Sequence, residues 1–298
     1  MSFHSIKELF QEADERKCSP GEVVCREEAE RSELSYQAVW DRMARTIPVF
    51  VHTMRVGLAD AKKSQSGMVG GDGQRLYRHE PLFMSPVCHR ALAYAVAAAE
   101  ANAKMCRIVA CPTAGSCGIV PAVLAAVGES RSASEKDYTR ALFTAGGVGE
   151  VIAENAMIAG AVGGCQAECG SAVAMAAAAA VDLCGGTTEE MSDAMALGLK
   201  NILGLVCDPV GGLVEVPCVK RNGFHAVHTL VAVEMAMSGV HSIIPPDDVI
   251  AAMREIGHLL PRSLRETSSA GLAATETGKK WAEEISKRNQ RGHSREKA

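Results

Sequence analysis

The sequence predicts an all-α protein, a multi-helix globular bundle whose glycine-rich loops gather around a buried site. Aromatic residues make up only 4% of the 298 residues, while Ala, Gly and Met are abundant. That balance suits closely packed small-residue helices and is poor in the Val, Tyr and Thr that sheets favour. Apolar residues recur at helical spacing along most of the chain, no stretch alternates convincingly with period two, and no fixed-period repeat is visible.

The helices follow in order. Ser5-Ile6-Lys7-Glu8 reads as a capping box, and Phe3, Ile6, Leu9, Phe10 and Ala13 share one face. Pro20-Gly21 breaks that helix, and Glu22 to Arg31 reads as a charged, exposed one. Ser35 to about Asp60 is a long helical pattern with Pro48 as a kink or join. Ser85-Pro86 opens an Ala-rich helix to about Lys104. Ser132 to about Ala161 makes one or two helices interrupted at Gly146-Gly147. The Ala-rich run Val173 to Val181 is helical and ends at Gly185-Gly186, and Thr188 caps the next helix to about Asn201. Phe224 to Ser238, then Pro245-Pro246-Asp247-Asp248 to about Leu260, complete the core pattern. A charged helix from Thr277 to about Asn289 and a frayed polar tail, Gln290 to Ala298, close the chain. The expected organisation is a single all-helical domain over 1–298: N-terminal helices over 1–60, a core over 61–277, and a last helix and tail over 278–298.

The formal charge of -4 offers no bulk attraction to nucleic acid or to a membrane. The longest apolar run, Ala172 to Val181, is too short to span a bilayer. Lys7 and Glu8 interrupt the first apolar residues, so no signal peptide is expected and the protein should be cytoplasmic. Eleven cysteines in a reducing compartment argue for metal ligation or buried thiols over disulfides.

Two loops stand out. Lys62 to Gly73 has lost its apolar period and carries two hydroxyls, two lysines and four glycines. It is suited to holding a small anion on backbone N–H groups, or it is a surface loop. It is no Walker loop, because no Gly-Lys-Ser/Thr closes it. Cys111-Pro112-Thr113-Ala114-Gly115-Ser116-Cys117-Gly118 feeds an apolar helix, the place where carboxylates and phosphates bind. A carboxylate-binding turn and a plain connection are both open there. Cys18, Cys25, Cys88, Cys106 and Cys184 have ordinary surroundings and read as buried small hydrophobes. Cys165, Cys207 and Cys218 each sit at a bend controlled by glycine or proline, and none belongs to a C-x2-C pair. Thiolates are soft ligands and suit iron–sulfur clusters.

The chain resembles the α chain, or α domain, of bacterial iron–sulfur-dependent L-serine dehydratases. The resemblance covers about Lys63 to Thr277. It is carried by Ser64 to Gly73, Pro112 to Gly118, Gly163-Gly164-Cys165-Gln166-Ala167-Glu168-Cys169-Gly170-Ser171-Ala172, Cys207 to Cys218, and Leu264-Arg265-Glu266-Thr267. It implies an all-helical fold and a 4Fe-4S cluster held by Cys165, Cys207 and Cys218, with Cys169 a neighbour. It also implies conversion of L-serine to pyruvate and ammonia, an open iron serving as Lewis acid for the leaving hydroxyl. Thr113, Ala114, Gly115 and Ser116 are the candidates for the substrate carboxylate, with Ser64, Ser66, Gly70 and Gly71 behind them.

Single-chain members of that family add a β domain with a Ser-Ser-His-Thr-type segment, which this sequence does not contain. Some members end in a cysteine that reaches the cluster, whereas the last cysteine here is Cys218. A separate β chain is therefore expected over the pocket, and an apolar patch near the glycine-rich loop. Alone, the chain is expected to self-associate as a homo-oligomer through that patch; the rival to the β chain is an α-only enzyme that completes its site from a second copy of itself. No base can be named: His52 and His79 are candidates, and His225 and His228 share a helix face as a metal pair or as two polar residues. Cysteine desulfidation with the same cluster, a pyridoxal-phosphate enzyme using Lys63, and a non-enzymatic zinc-binding helical protein are the competing functions.

Overall fold

The computed structural model describes residues 3–295, with side chains through Arg288. It is all-α, and among the described residues the only β-type pairing is an isolated bridge between Cys207 and Arg265.

Helix α1 (Ile6–Arg16) buries the expected face of Ile6, Leu9, Phe10 and Ala13. Its capping box is half made: Ser5 Oγ accepts the Glu8 N–H, but the Glu8 carboxylate takes the N–H of His4. Helix α2 starts at Pro20, two residues before the expected Glu22, because Ser19 and Glu22 form a full capping box with Pro at the first turn. Nor is α2 (Pro20–Arg31) simply exposed. Val23, Cys25 and Ala29 are buried, and Gly21 packs so closely that a Cβ there would stand 2.2 Å from the Arg140 carbonyl oxygen. Pro48 marks a join: α3 (Tyr36–Ala44) and α4 (Ile47–Ala59) are separate, with Pro in the first turn of the second.

Helix α5 (Asp72–Arg78) lies in a stretch without apolar period and was not expected. Helices α6 (Pro86–Ala103) and α7 (Ile119–Arg131) follow. Helix α8 (Glu135–Asn155) runs unbroken through Gly146-Gly147, contrary to the expected interruption. Its glycines are contact points: a Cβ at Gly147 would meet Val24, and one at Gly149 would meet Met175. Tertiary packing thus outweighs the roughly 1 kcal/mol helix penalty of each glycine.

A short turn, α9 (Gly160–Gly163), and a π-helical turn, Gln166–Gly170, lead into α10 (Ser171–Leu183). Every residue of α10 is buried, against α7, α8, α11 (Thr188–Lys200) and α12 (Cys218–Met237). Its alanines allow those neighbours to approach, so a larger residue at, for example, Ala177 would overpack the centre at about 1–3 kcal/mol. Thr187, one residue earlier than expected, caps α11 in a box with Glu190. Helix α12 begins at Cys218, six residues before the expected Phe224, and therefore carries that cysteine in its first turn. Helix α13 (Pro246–Leu259) follows the expected amphipathic pattern. Helix α14 (Glu276–Arg295) continues past the expected Asn289 into the stretch expected to fray; the rest of that tail, 296–298, lies outside the described residues.

One buried apolar cluster takes in residues from Ile6 in α1 to Met253 in α13. No helix is long and apolar enough to cross a membrane among the described residues.

Candidate metal centre

Cys165 and Cys207 are brought together by the residue after the first of them. Gln166 is fully buried. Its backbone N–H donates to Leu205 O (3.0 Å), its Oε1 accepts from Gly204 N (2.8 Å), and its Nε2 donates to Met253 O (3.2 Å). The loop entering Cys207 is thereby tied to the loop carrying Cys165. Gly164 makes the approach possible: its φ is +78°, and a Cβ there would lie 2.7 Å from the Leu205 carbonyl oxygen. Cys207 is then clamped from both sides, its N–H donating to Leu264 O (2.9 Å) and its carbonyl accepting from Glu266 N (2.8 Å). The Leu264-Arg265-Glu266-Thr267 segment is in this way part of the site.

Cys165 Sγ, Cys207 Sγ and a Glu168 carboxylate oxygen all lie within 4.8 Å of one another. Cys218 stands outside that tight group. It opens α12, and one helical turn on Arg221 gathers the segments: its guanidinium donates to Cys165 Sγ (3.2 Å), Val206 O (2.9 Å) and Asp208 Oδ1 (3.0 Å). The thiols of Cys169 and Cys207 donate to Cys165, which with Arg221 holds the Cys165 thiol down to about 3 against the effect of burial. Cys207 and Cys169 are correspondingly pushed up by giving their protons to that bond and by burial. Burial and the Cys165 charge push Cys218 up to about 12. The site therefore gathers four buried cysteines beside a guanidinium.

The turn after Cys111 faces the same place. Thr113 Oγ1 donates to the Glu168 carboxylate, and a backbone hydrogen bond from Gly115 reaches it too. A Cβ on Gly115 would stand 2.5 Å from Glu168 Oε1. Burial raises the Glu168 carboxyl to about 7, the Thr113 bond opposing it and the Cys165 charge adding to it. Ser116 is buried, its Oγ on the Cys111 carbonyl (3.3 Å) and near Thr113 Oγ1 (3.3 Å); Ala114 is exposed and its carbonyl accepts from Asn102. Asn222, fully buried on α12, fixes the turn: Nδ2 donates to Gly115 O (2.7 Å) and Cys218 O (2.9 Å), and Oδ1 accepts from Gly118 N (2.9 Å). The turn precedes α7 and points at the cysteines, and the carboxylate it holds is the protein's own.

The loop 62–73 also holds anions, again internal ones. The Glu100 carboxylate accepts from the N–H groups of Gly70 (3.1 Å), Gly71 (3.0 Å), Asp72 (2.9 Å) and Gly73 (3.3 Å). Ser64 Oγ (2.7 Å) and Ser66 Oγ donate to Glu215, three residues before Cys218. The donors of Ser64, Ser66, Gly70 and Gly71 are therefore engaged within the fold.

Both histidines considered as bases are exposed; His52 lies 3.4 Å from an Arg55 nitrogen, and His79 ends α5. His228 Nε2 sits on the Gly198 carbonyl (2.8 Å) and its ring meets His225 edge to face at 6.1 Å. His225 Nε2 is buried without a hydrogen-bond partner, and burial lowers that imidazole to about 4. Four of the residues that build this site, Glu168, Arg221, Asn222 and Glu266, had no role assigned from sequence. Glu168 follows Cys165, and Arg221 follows Cys218, by one helical turn, and that spacing was the available signal.

Buried cysteines beside a guanidinium, with the unpartnered His225 nitrogen one turn beyond that arginine on α12, fit a thiolate-held metal group. The fold and site thus define a helical protein with a cysteine-lined centre beside a carboxylate-gripping turn. Residues 15–273 match the family model for the serine dehydratase alpha chain, and the chain belongs to that family. It is 46% identical over 286 residues to the probable L-serine dehydratase alpha chain of Bacillus subtilis, covering 95% of each. It is 38% identical over 280 residues to the L-serine dehydratase alpha chain of Peptoniphilus asaccharolyticus, covering 93% of this chain and 96% of that one. Against L-serine dehydratase TdcG of Escherichia coli the identity is 42% over 60% of this chain and 40% of the relative.

Proposed function

We propose that this chain is the α subunit of an iron–sulfur-dependent L-serine dehydratase, an L-serine ammonia-lyase that releases pyruvate and ammonia. The observation that carries the reading is a buried cysteine site directly beside a turn that grips a carboxylate. Family membership and the names of the relatives support it.

In this reading Cys165, Cys207 and Cys218 would hold a 4Fe-4S cluster. Such a cluster, when bound, supplies an iron without a protein thiolate, a Lewis acid for the leaving hydroxyl. Arg221, on Cys165 Sγ, favours the ligating thiolate form of that cysteine. The Thr113 hydroxyl and the Gly115 N–H, which Glu168 now engages, exchange that side chain for the carboxylate of serine, while Ala114 and Ser116 shape the turn. Ser64 and Ser66 act through Glu215 by steadying the approach to Cys218, and Gly70 and Gly71 act by seating the loop on Glu100.

We take residues 1–298 as one helical α-type domain working in the cytoplasm. A separate β chain completes the active site and brings the base. The alpha-chain names of the relatives and the smaller share of TdcG that is matched favour this arrangement. So do Leu82 and Phe83, 74% and 99% exposed in the segment following α5.

The test is anaerobic. Purified chain rebuilt with iron and sulfide should turn brown, carry iron and sulfide in equal amounts, and dehydrate serine only weakly until the β chain is added. A colourless chain that takes up no iron overturns the cofactor. Full activity from the α chain alone overturns the two-chain site.

A further inference from the structure

We infer that the chain, before it holds any larger group, carries a mononuclear site for a divalent cation of zinc's class, made by Cys165 Sγ, Cys207 Sγ and a Glu168 carboxylate oxygen. The inference goes beyond the proposed function and does not depend on it. The three donor atoms lie within 4.8 Å of one another. In a tetrahedral site, metal–sulfur bonds of about 2.3 Å and metal–oxygen bonds of about 2.0 Å set donors about 3.5–3.8 Å apart. Closure thus needs shifts of about an ångström, which side-chain rotations supply.

The donors are also held in place. Glu168 sits in the π-helical turn that follows Cys165, with Thr113 on its carboxylate. Cys207 is pinned by Leu264 on one side and Glu266 on the other. Gly160 opens the space between them, since a Cβ there would stand 3.1 Å from Cys207 Sγ and 3.4 Å from Glu168 Oε2. Two sulfurs and one carboxylate oxygen select a borderline-soft ion over magnesium or calcium. Binding sends the thiol protons of the two cysteines to solvent. The charge of the ion, with that of Arg221, then offsets the three anionic donors, against Asp208 on the guanidinium and Glu266 across the space at Gly160. Cys218 has no place in this site. A cation seated here occupies Cys165 and Cys207 and so denies both to any larger thiolate-held group.

Cobalt(II) is the probe. The full chain, stripped of metal and kept anaerobic, should bind one Co2+ with intense near-ultraviolet thiolate-to-cobalt charge transfer, and Zn2+ should abolish the band. Glu168→Gln should raise the Kd for Co2+ at least about tenfold, and Cys218→Ser should leave it within about twofold. Glu168→Asp, which keeps the charge but withdraws the oxygen by one methylene, should weaken binding as Glu168→Gln does, and it serves if the first variant loses helical circular dichroism. No thiolate band in the wild-type chain overturns the proposal. So does an unchanged Kd on altering Glu168, or a Cys218→Ser loss equal to that of Glu168→Gln. Iron–sulfur rebuilding of the same variants is read separately: a chain that binds Co2+ as expected but builds no cluster counts against the proposed function alone.

Discussion

Replacing Glu100 by Gln isolates the contribution of one buried carboxylate to the loop 62–73. Glu100 is fully buried, and its two oxygens divide four backbone donors: one takes Gly70 and Asp72, the other Gly71 and Gly73. An amide keeps the shape but turns one acceptor into a donor. Whichever oxygen is replaced, two N–H groups, buried except for the half-buried Asp72, are left facing another donor. At about 1–3 kcal/mol for each unsatisfied group, the cost is about 2–6 kcal/mol, and a value near 4 is expected. Urea unfolding followed by circular dichroism measures it as a lower midpoint at unchanged slope. Limited proteolysis adds location, because residues 62–73 should become the first cleavage site of the Glu100→Gln chain. A loss below about 1 kcal/mol, with no new cleavage, would refute the reasoning and mean that water or relaxed backbone satisfies those donors.

Three further outcomes follow from the same geometry. Cys207→Ser should abolish iron uptake in anaerobic rebuilding, because a neutral hydroxyl replaces a soft thiolate; full iron content in that variant would remove Cys207 from the ligand set. Asn222→Ala should cost about 2–4 kcal/mol in urea unfolding, since it strips partners from the buried Gly115 O and Gly118 N, and it should raise KM for serine by freeing the turn; a change in kcat alone would argue against that role. His225 makes stability depend on pH. Unfolded, this imidazole takes a proton near 6.5, and folded only near 4. Its contribution is therefore intact above about pH 6.5, drains as pH falls toward 4 and levels below that, a loss of about 3 kcal/mol. Between pH 7 and 4 the wild-type chain should lose about that much more stability than His225→Gln, and parallel losses would contradict the assignment.

Much of the fold is legible in the sequence because helices are local. The alanine run of α10 and the Ser85-Pro86 start of α6 contain their own instructions. The errors have nonlocal causes. Gly146-Gly147 reads as a break, yet the second glycine is the seat for Val24 across a helix pair. Helix α12 reads as starting at Phe224 because Arg221, Asn222 and Gly223 look like loop, whereas the first two turn inward to polar partners on other segments. The two glycine-rich turns read from composition as anion holders or as plain loops, and the structure seats a carboxylate on each. That the anions are Glu100 and Glu168 is a matter of tertiary contact, with no local signature. The three cysteines stand out by resemblance, while the arginine and asparagine that organise them are visible only once α12 is extended to Cys218.

The clamp on Cys207 sets an order of events in biosynthesis. Cys165, Cys207 and Cys218 all leave the ribosome before the segment that secures the middle one. Leu264 and Glu266 grip the backbone of Cys207, Ser268 Oγ donates to Pro209 O, and the Leu272 N–H donates to Asp208. About 50 residues separate Cys218 from Glu266, some seconds of elongation at about 5–20 residues per second. Through that interval a nascent chain displays its thiols on an unfastened loop, open to oxidants and to stray metal. The grip on Cys207 is thereby confined to a chain that has reached Glu266, and a chain truncated ahead of Leu264 would keep all of its cysteines and still lack the contacts that set Cys207 in position.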